Sequence, residues 1–484
     1  MQTHGITLLG LGPGNPQWLT LQASEILNTA SEIYIRTNQH PVVDGLPATI
    51  KLRSFDHLFE TNDSMGEIDV KIAAHILKLG ARPEGVIYAV PGHPLIAEST
   101  CSLILAGAAE NNIPIHVIAG ISFIEPICSA LGINLLPHTA ILDALQLAGL
   151  HHPPFPPDHP IMIFYVDRPQ IAAQLKTVLR TTYPKDHSVH LVHGVGTDGQ
   201  ILEELPLEML DCSNHLGPLT TLYLPALGPA TSIEAFQEIV AHLRAPDGCP
   251  WDREQTHQTL RPNLLEETYE LVAALDDNDP VAMAEEFGDL LLQIVLHAQI
   301  ASEGGTFNFA DIVHGIHTKI VRRHPHVFGD LHLEGADSVI RNWEKLKAEE
   351  RVENGDHHKG LLDGVAKAMP SLVQADTFQK RAARVGFDWT NIQGVLDKIS
   401  EEILEIKNAP SQPARADEFG DLLFALVNWA RWHDIDAESA LRSTNSRFRT
   451  RFSYIEKMAR KQGRNLDQLS LQEMDAFWDQ AKGI

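Results

Sequence analysis

The chain is short of several things, and each shortage closes a class of function. Its 484 residues include four cysteines, Cys101, Cys128, Cys212 and Cys249. They are scattered, without the close pairs that ligate zinc or form a redox dithiol, so a reduced, cytoplasmic setting is expected. Basic residues are in deficit, with 38 Lys and Arg against 63 Asp and Glu and a formal charge of −25. So acidic a chain is a poor non-specific binder of nucleic acid. It can still take an anionic substrate where a bound cation reverses the local sign. No apolar run is long enough to span a membrane, so no membrane partner is expected. The first strand-like run, Ile6-Thr7-Leu8-Leu9, starts without a basic stretch and apolar signal core before it. The calcium loop of an EF-hand is missing, as is the strict G-x-G-x-x-G dinucleotide spacing.

What is present divides near Gly228-Pro229. Up to there, short apolar runs (6–9, 85–90, 115–119, 161–166, 189–192) alternate with helical stretches (21–30, 69–79, 94–110). That alternation predicts an α/β region with a largely parallel sheet. The stretch from Leu150 to His159 holds four prolines and three histidines, and reads as a linker between two lobes. From about Thr231 onward strand-like runs vanish. Amphipathic helices are expected over 263–275, 281–302, 309–323, 338–353, 369–384, 391–407, 415–432, 436–461 and 470–481. The fold class expected is multidomain, a two-lobed α/β half followed by an all-α half with an internal repeat. The domains expected are 1–228, 229–355 and 356–484.

The repeat is one of acids. Glu266-Glu267-Thr268-Tyr269-Glu270 precedes Glu286-Phe287-Gly288-Asp289, and Glu401-Glu402-Ile403-Leu404-Glu405 precedes Glu418-Phe419-Gly420-Asp421. Aligning 286–298 with 418–430 gives eight identities, and the connection between the acids is three residues shorter in the second copy. On a helix, positions i, i+1 and i+4 lie close together and i, i+3 share a face. Two such helices packed together aim four or five carboxylates at one point. Like charges that close are costly without cations, and oxygen-only donors favour Mg²⁺ or Mn²⁺. The competing reading is a solvated acidic face. Gly288 and Gly420 inside helices count against it, because Gly there costs about 1 kcal/mol relative to Ala. They suggest close helix approach or room for a ligand. A di-iron bundle needs two Glu-x-x-His pairs, and the repeats supply none; the one such spacing is Glu254 to His257.

Mg²⁺ bridging substrate phosphates and activating a water remains. In that scheme Glu402, Glu405, Glu418 and Asp421 hold the ions, with Glu267, Glu270, Glu286 and Asp289 as the matching set. Glu401 orients or deprotonates the attacking water. Arg447, Arg451 and Lys457 follow on one helix, as phosphate contacts or as an ordinary basic face. Trp478 is a platform for a base or a core residue.

The doubled Glu-Glu-x-x-Glu … Glu-x-x-Asp pattern resembles the MazG family of all-α nucleoside triphosphate pyrophosphohydrolases. Further stretches fit: Gly248-Cys-Pro-Trp-Asp-Arg-Glu-Gln-Thr256, Arg322-Arg-His-Pro-His-Val-Phe328, Asn342-Trp-Glu-Lys345 and Arg447-Phe-Arg-Thr-Arg-Phe-Ser-Tyr-Ile-Glu456. The resemblance covers about 231–484. It implies Mg²⁺-dependent cleavage of an NTP between the α and β phosphates, giving NMP and diphosphate. It also implies a homodimer of intertwined helices, with the second copy carrying catalysis.

In the first half, Gly10-Leu-Gly-Pro-Gly14, Ala89-Val-Pro-Gly-His-Pro94 and Ile118-Ala-Gly-Ile-Ser122 each end a strand-like run. Glycine lets backbone approach a ligand closely, and three such turns can converge on one cleft. Together they resemble the tetrapyrrole (corrin/porphyrin) methylases, which bind S-adenosylmethionine between two α/β lobes. The resemblance implies cofactor contacts at Gly10, Gly12, Gly14, Pro91, Gly92, His93 and Ser122. His93 stands where that family carries an acid, and Ala119 and Phe123 where it carries Pro and a second Ser. The alternative is a binding protein whose first half senses S-adenosylmethionine or a tetrapyrrole while the helical half dimerises.

Overall fold

The structure, a computed structural model, describes residues 5–59, 65–353 and 360–483. The domain junction expected at 355/356 lies outside the described residues. The chain forms two compact units, Met1–Ile312 and Val313–Ile484.

The first unit opens with a five-stranded parallel sheet of β1 (Ile6–Gly10), β2 (Glu32–Ile35), β3 (Lys51–Ser54), β4 (Val86–Val90) and β5 (Ile115–Ile118). The strand order is β3-β2-β4-β1-β5. A parallel strand covered on both faces must be apolar throughout, and all five β1 residues are buried. The helix after β1, Leu21–Thr29, packs on one face with Leu9, Ile33 and Ala89. The helix after β4, Ser99–Glu110, packs on the other with Ile6, Tyr88 and Val90. Neighbouring strands β1 and β4 therefore send their connections to opposite faces. That leaves a crevice at their carboxyl ends, the usual ligand position in such sheets.

The second sheet comprises β6 (Ala140–Asp143), β7 (Ile161–Phe164), β8 (Ser188–His193), β9 (Ile201–Pro206) and β10 (Thr221–Leu224), in the order β6-β7-β10-β8-β9. Here the expectation of a largely parallel sheet fails. Only β6 and β7 run parallel, and the other three pairings are antiparallel.

The linker expected at 150–159 also needs correction. β6 precedes it, β7 follows it, and the two pair in register from Ala140↔Ile161 to Asp143↔Phe164. The stretch is packed inside the second lobe. Phe155 lies on its core, the Pro157 carbonyl accepts the Leu227 N–H at 2.8 Å, and Asp158 accepts the Ser232 hydroxyl at 2.6 Å. Prolines signal the loss of regular structure, not the edge of a lobe. The sheets are joined instead through 119–139, which holds the helix Ile124–Leu131.

After β10 every described element is helical. In the first unit, Ile233–Arg244 packs through Val240 against Val295 and Leu296 of Pro280–Glu303. Arg244 also grips Glu303 through Nη2 at 2.7 Å and Nε at 2.9 Å. In the second unit, Ser371–Arg384 joins Gln412–Trp432 by a bond from Gln379 Nε2 to the Phe424 carbonyl at 2.8 Å. Among the described residues no helix is long and apolar enough to cross a membrane.

Candidate active site

Two helical hairpins carry the acids. The first is Arg261–Asp277 with Pro280–Glu303, and the second Ile392–Asn408 with Gln412–Trp432. The turns are short because the sequence stops and restarts each helix at once. Asn278 takes the left-handed conformation at φ 52°, and Asp279 then caps the next helix by accepting the Val281 N–H at 2.9 Å. Ser411 caps Gln412–Trp432 by accepting from the Ala414 N–H at 3.3 Å. A turn this short leaves successive helices as neighbours.

In each hairpin three carboxylates meet. Oxygens of Glu267, Glu270 and Glu286 lie within 4.8 Å of one another, as do those of Glu402, Glu405 and Glu418. Burial, together with Asp289, Glu270, Glu266 and Glu286, raises the Glu267 carboxyl above its ordinary range. Burial, with Glu270, Asp289 and Glu285, raises Glu286. In the second cluster burial, then Glu405, Glu402 and Asp421, raises Glu418, which also shares a hydrogen bond with Glu405. Asp289 and Asp421 thus stand outside the triads but are felt by them. Glu402 is 1% exposed, and its Oε2 is buried without a partner. Glu286 Oε2 is likewise buried and unpartnered. A buried carboxylate oxygen with no donor is costly unless a cation supplies what the protein does not. Three crowded, oxygen-only donors, one of them exposed and at least one oxygen of each set buried without a partner, fit a hard divalent ion.

Of the two readings of the helix glycines, one drops out. Gly288 and Gly420 are not sites of close helix approach: a Cβ at either would meet nothing within 4 Å. Phe287 and Phe419 beside them are each 53% exposed, so this face of both hairpins is open. Glu401 stands outside its triad and accepts a hydrogen bond from Lys398 Nζ at 3.0 Å. Lys398 also pairs with Glu402 at 2.6 Å. Sequence reasoning passed over Lys398, although its place four residues before Glu402 was a usable signal.

The cations and the aromatic sit on Ala437–Lys461 and Leu471–Ala481. The Arg451 guanidinium lies over the Trp478 ring at 5.5 Å, and Phe448 is 5.2 Å from that ring. Trp478 also packs on the small core of Ile455, Ala459, Leu469 and Phe477, so it is both core and platform. Arg447 donates to the Thr444 hydroxyl at 2.8 Å. Lys457 lines an open recess of about 500 Å³ with Ser453, Glu456, Arg460 and Lys461. Among the described residues no hydrogen bond or ion pair links Arg447, Arg451 or Lys457 to the triads.

The glycine turns of the first half do converge. Gly12 and Gly92 form an antiparallel bridge, with N···O distances of 3.2 and 2.7 Å. A Cβ on Gly10 would lie 2.5 Å from the Gly120 nitrogen and 2.7 Å from the Gly92 oxygen. Only glycine allows the three loops to touch backbone to backbone. Gly14 meets a second-lobe loop, where its Cβ would lie 2.9 Å from the Gly196 oxygen. His93 Nδ1 accepts from the Leu95 N–H at 3.0 Å, while Pro91 beside it is half-buried. The Ser122 hydroxyl is spent on Glu125 at 2.5 Å and on the Ile124 N–H at 3.0 Å, one residue outside the N-cap Phe123. Buried His40, not anticipated, reaches the Gly12 carbonyl oxygen through Nε2 at 2.9 Å, and burial lowers its pKa.

Comparison with known proteins follows this division. Residues 5–211 match the tetrapyrrole (corrin/porphyrin) methylases, and residues 255–328 match the MazG nucleotide pyrophosphohydrolase domain. The chain is 42% identical to the nucleoside triphosphate pyrophosphohydrolase/pyrophosphatase MazG of Thermotoga maritima, over 51% of this chain and 96% of that protein. It is 42% identical to the nucleoside triphosphate pyrophosphohydrolase of Escherichia coli K12, over 52% of this chain and 97% of that one. An uncharacterized protein of Bacillus subtilis, YabN, is 39% identical across 99% of this chain and 98% of its own length. With both halves matched in one relative end to end, the chain belongs to the family that fuses a tetrapyrrole methylase domain to a MazG nucleotide pyrophosphohydrolase region.

Proposed function

We propose that this chain is a Mg²⁺-dependent nucleoside triphosphate pyrophosphohydrolase, converting NTP and water to NMP and diphosphate. The observation that carries the reading is Glu402, buried with an unpartnered oxygen beside Glu405 and Glu418. Mg²⁺, with Mn²⁺ as substitute, would neutralise phosphate charge and acidify a bound water. Glu402, Glu405, Glu418 and Asp421 would hold it, and Glu267, Glu270, Glu286 and Asp289 would form a second site of the same kind. Glu401, exposed beside the triad, accepts a proton from the water or orients it. Arg447, Arg451 and Lys457 supply cations for the phosphates, and Trp478 offers a ring face for a base.

The domains in this reading are 1–228, 229–355 and 356–484, the last two being copies of one ancestral hairpin unit. The shared acid triads, the open glycines and the equally exposed Phe287 and Phe419 support duplication. The exposed apolar side chains of both hairpins, Leu291 and Ile294 in one and Leu423 and Leu426 in the other, support a homodimer. Free cysteines support a cytoplasmic setting.

The first half binds S-adenosylmethionine at the switch-point crevice beside Gly12 and Gly92. A second reading makes it a sensor of that molecule or of a tetrapyrrole, with no transfer chemistry. The engagement of Ser122 and His93 in local hydrogen bonds favours that reading.

The test is diphosphate release from a panel of NTPs and dNTPs by the full chain, with Mg²⁺ and with EDTA. Release of diphosphate with the matching NMP, abolished by EDTA, is expected; no turnover on any nucleotide would overturn the hydrolase reading. Calorimetry of the same chain with S-adenosylmethionine tests the first half, and absence of binding would remove the methylase reading and leave only a tetrapyrrole sensor.

A further inference from the structure

The two triads differ in one respect that the repeat does not predict. In the second, Glu402 divides its oxygens between two surroundings. Oε1 accepts from Lys398 Nζ at 2.6 Å, and Oε2 is buried and free. Lys398 reaches in from outside, with 39% of its side chain exposed, and holds Glu401 at 3.0 Å as well. One turn of helix before the triad, a single ammonium therefore fixes a buried carboxylate by one oxygen and leaves the other for the cluster. In the first hairpin, four residues before Glu267, the matching position is Asn263, which has no charge to offer. Among the described residues no hydrogen bond or ion pair reaches Glu267, Glu270 or Glu286.

A metal-binding group is held in place by what grips its other atoms, and loss of such a grip typically costs 10–100-fold in metal affinity. We propose that Lys398 is a positioning residue that presents Glu402 to a divalent cation. The first site, with Asn263 in its place, then takes the same cation more weakly. This inference rests on the cation reading of the triads given above. The ammonium engages Oε1 of Glu402 and leaves the buried Oε2 for the ion, so on this proposal it assists the ion instead of competing with it. The asymmetry also gives a physical reason for two sites of similar composition to differ in use.

The test is Mn²⁺ binding to the full chain, followed by the loss of the free-ion electron paramagnetic resonance signal, a readout independent of turnover. The wild-type chain should show a tighter and a weaker class of sites. Glu402→Gln should remove the tighter class and Glu267→Gln the weaker. Lys398→Ala should weaken the tighter class by about 10–100-fold, and Lys398→Arg, which restores a cation at that distance, should recover most of it. Lys398→Ala that leaves the tighter class unchanged, or tightens it, would overturn the positioning role while leaving the cation reading intact. Mn²⁺ binding untouched by both Glu402→Gln and Glu267→Gln would overturn the cation reading itself.

Discussion

The Tyr165 hydroxyl donates to the Ala97 carbonyl oxygen at 2.6 Å, tying the end of β7 in the second sheet to the loop after β4 in the first. Both residues are non-glycine in the left-handed region, at φ 66° and φ 56°. Such conformations cost on the order of 1–3 kcal/mol each and persist where the surroundings hold them. Burial pushes the Tyr165 phenol up to about 12, so it stays a donor across the physiological range.

Replacing Tyr165 by Phe removes that tie and little else. Ala97 is exposed, so water can take over its carbonyl. The expected loss is therefore about 1 kcal/mol, or roughly 2–4 °C in the thermal transition of the α/β half. Differential scanning calorimetry of the full chain checks it. The same variant should weaken S-adenosylmethionine binding, because the loop after β4 carries Gly92 in the crevice. An unchanged transition would show that the two left-handed residues are held by packing alone.

The raised carboxyls give a pH dependence of definite sign. Glu267, Glu286 and Glu418 hold protons more tightly in the folded chain than at their ordinary value of 4.5. In the window from 4.5 up to their raised values the folded state binds more protons than the unfolded one. Without metal, stability therefore falls as pH rises through that window. A divalent cation binds the ionised form and reverses the trend. The rise in melting temperature on adding Mg²⁺ should thus be small near pH 5 and grow toward pH 7, with proton release on binding in that window. Scanning fluorimetry across pH, with and without Mg²⁺, reads both curves. A Mg²⁺ effect that is flat with pH would show that the ion binds elsewhere.

Much of this architecture was legible in the sequence because its signals are local. The apolar period of Pro280–Glu303 and the doubled acids each depend on neighbours within a few residues. The three glycine turns were legible for the same reason: a backbone contact as close as Gly10 to Gly120 tolerates nothing larger. The features missed are non-local. The antiparallel pairing of β10 with β7 and β8 depends on segments far apart in the chain. The grip of His40 on Gly12 spans 28 residues, and Arg36 gathers Asp69 and Glu98 across 33 and 62. No spacing rule reaches that far. The proline-rich stretch at 150–159 misled because a loop inside a lobe and a linker between lobes have the same composition.

Single carboxylate-to-amide changes separate the two triads. Glu402→Gln keeps shape and volume but removes charge from the buried member of the second cluster. If that cluster carries turnover, kcat/KM for NTP hydrolysis should fall at least 100-fold, a transition-state loss of about 2.7 kcal/mol. Glu267→Gln should leave kcat/KM within a few-fold. Steady-state assays of both variants at saturating Mg²⁺ check this, and the reverse pattern would assign catalysis to the first hairpin.

The open glycines allow a test that sets stability against function. A Cβ added at Gly420 meets nothing within 4 Å, and the position lies inside an exposed stretch of helix. Gly420→Ala should therefore stabilise the helical half by about 0.5–1 kcal/mol through helix propensity alone, raising its transition by roughly 2–4 °C. Gly420 lies between Glu418 and Asp421, where substrate and a second copy of the chain would have to approach. The same methyl should then raise KM for the nucleotide or shift the dimer toward monomer. Calorimetry, steady-state kinetics and sedimentation on the one variant distinguish these outcomes. A stabilised chain with unchanged KM and unchanged association would mean that glycine serves neither contact.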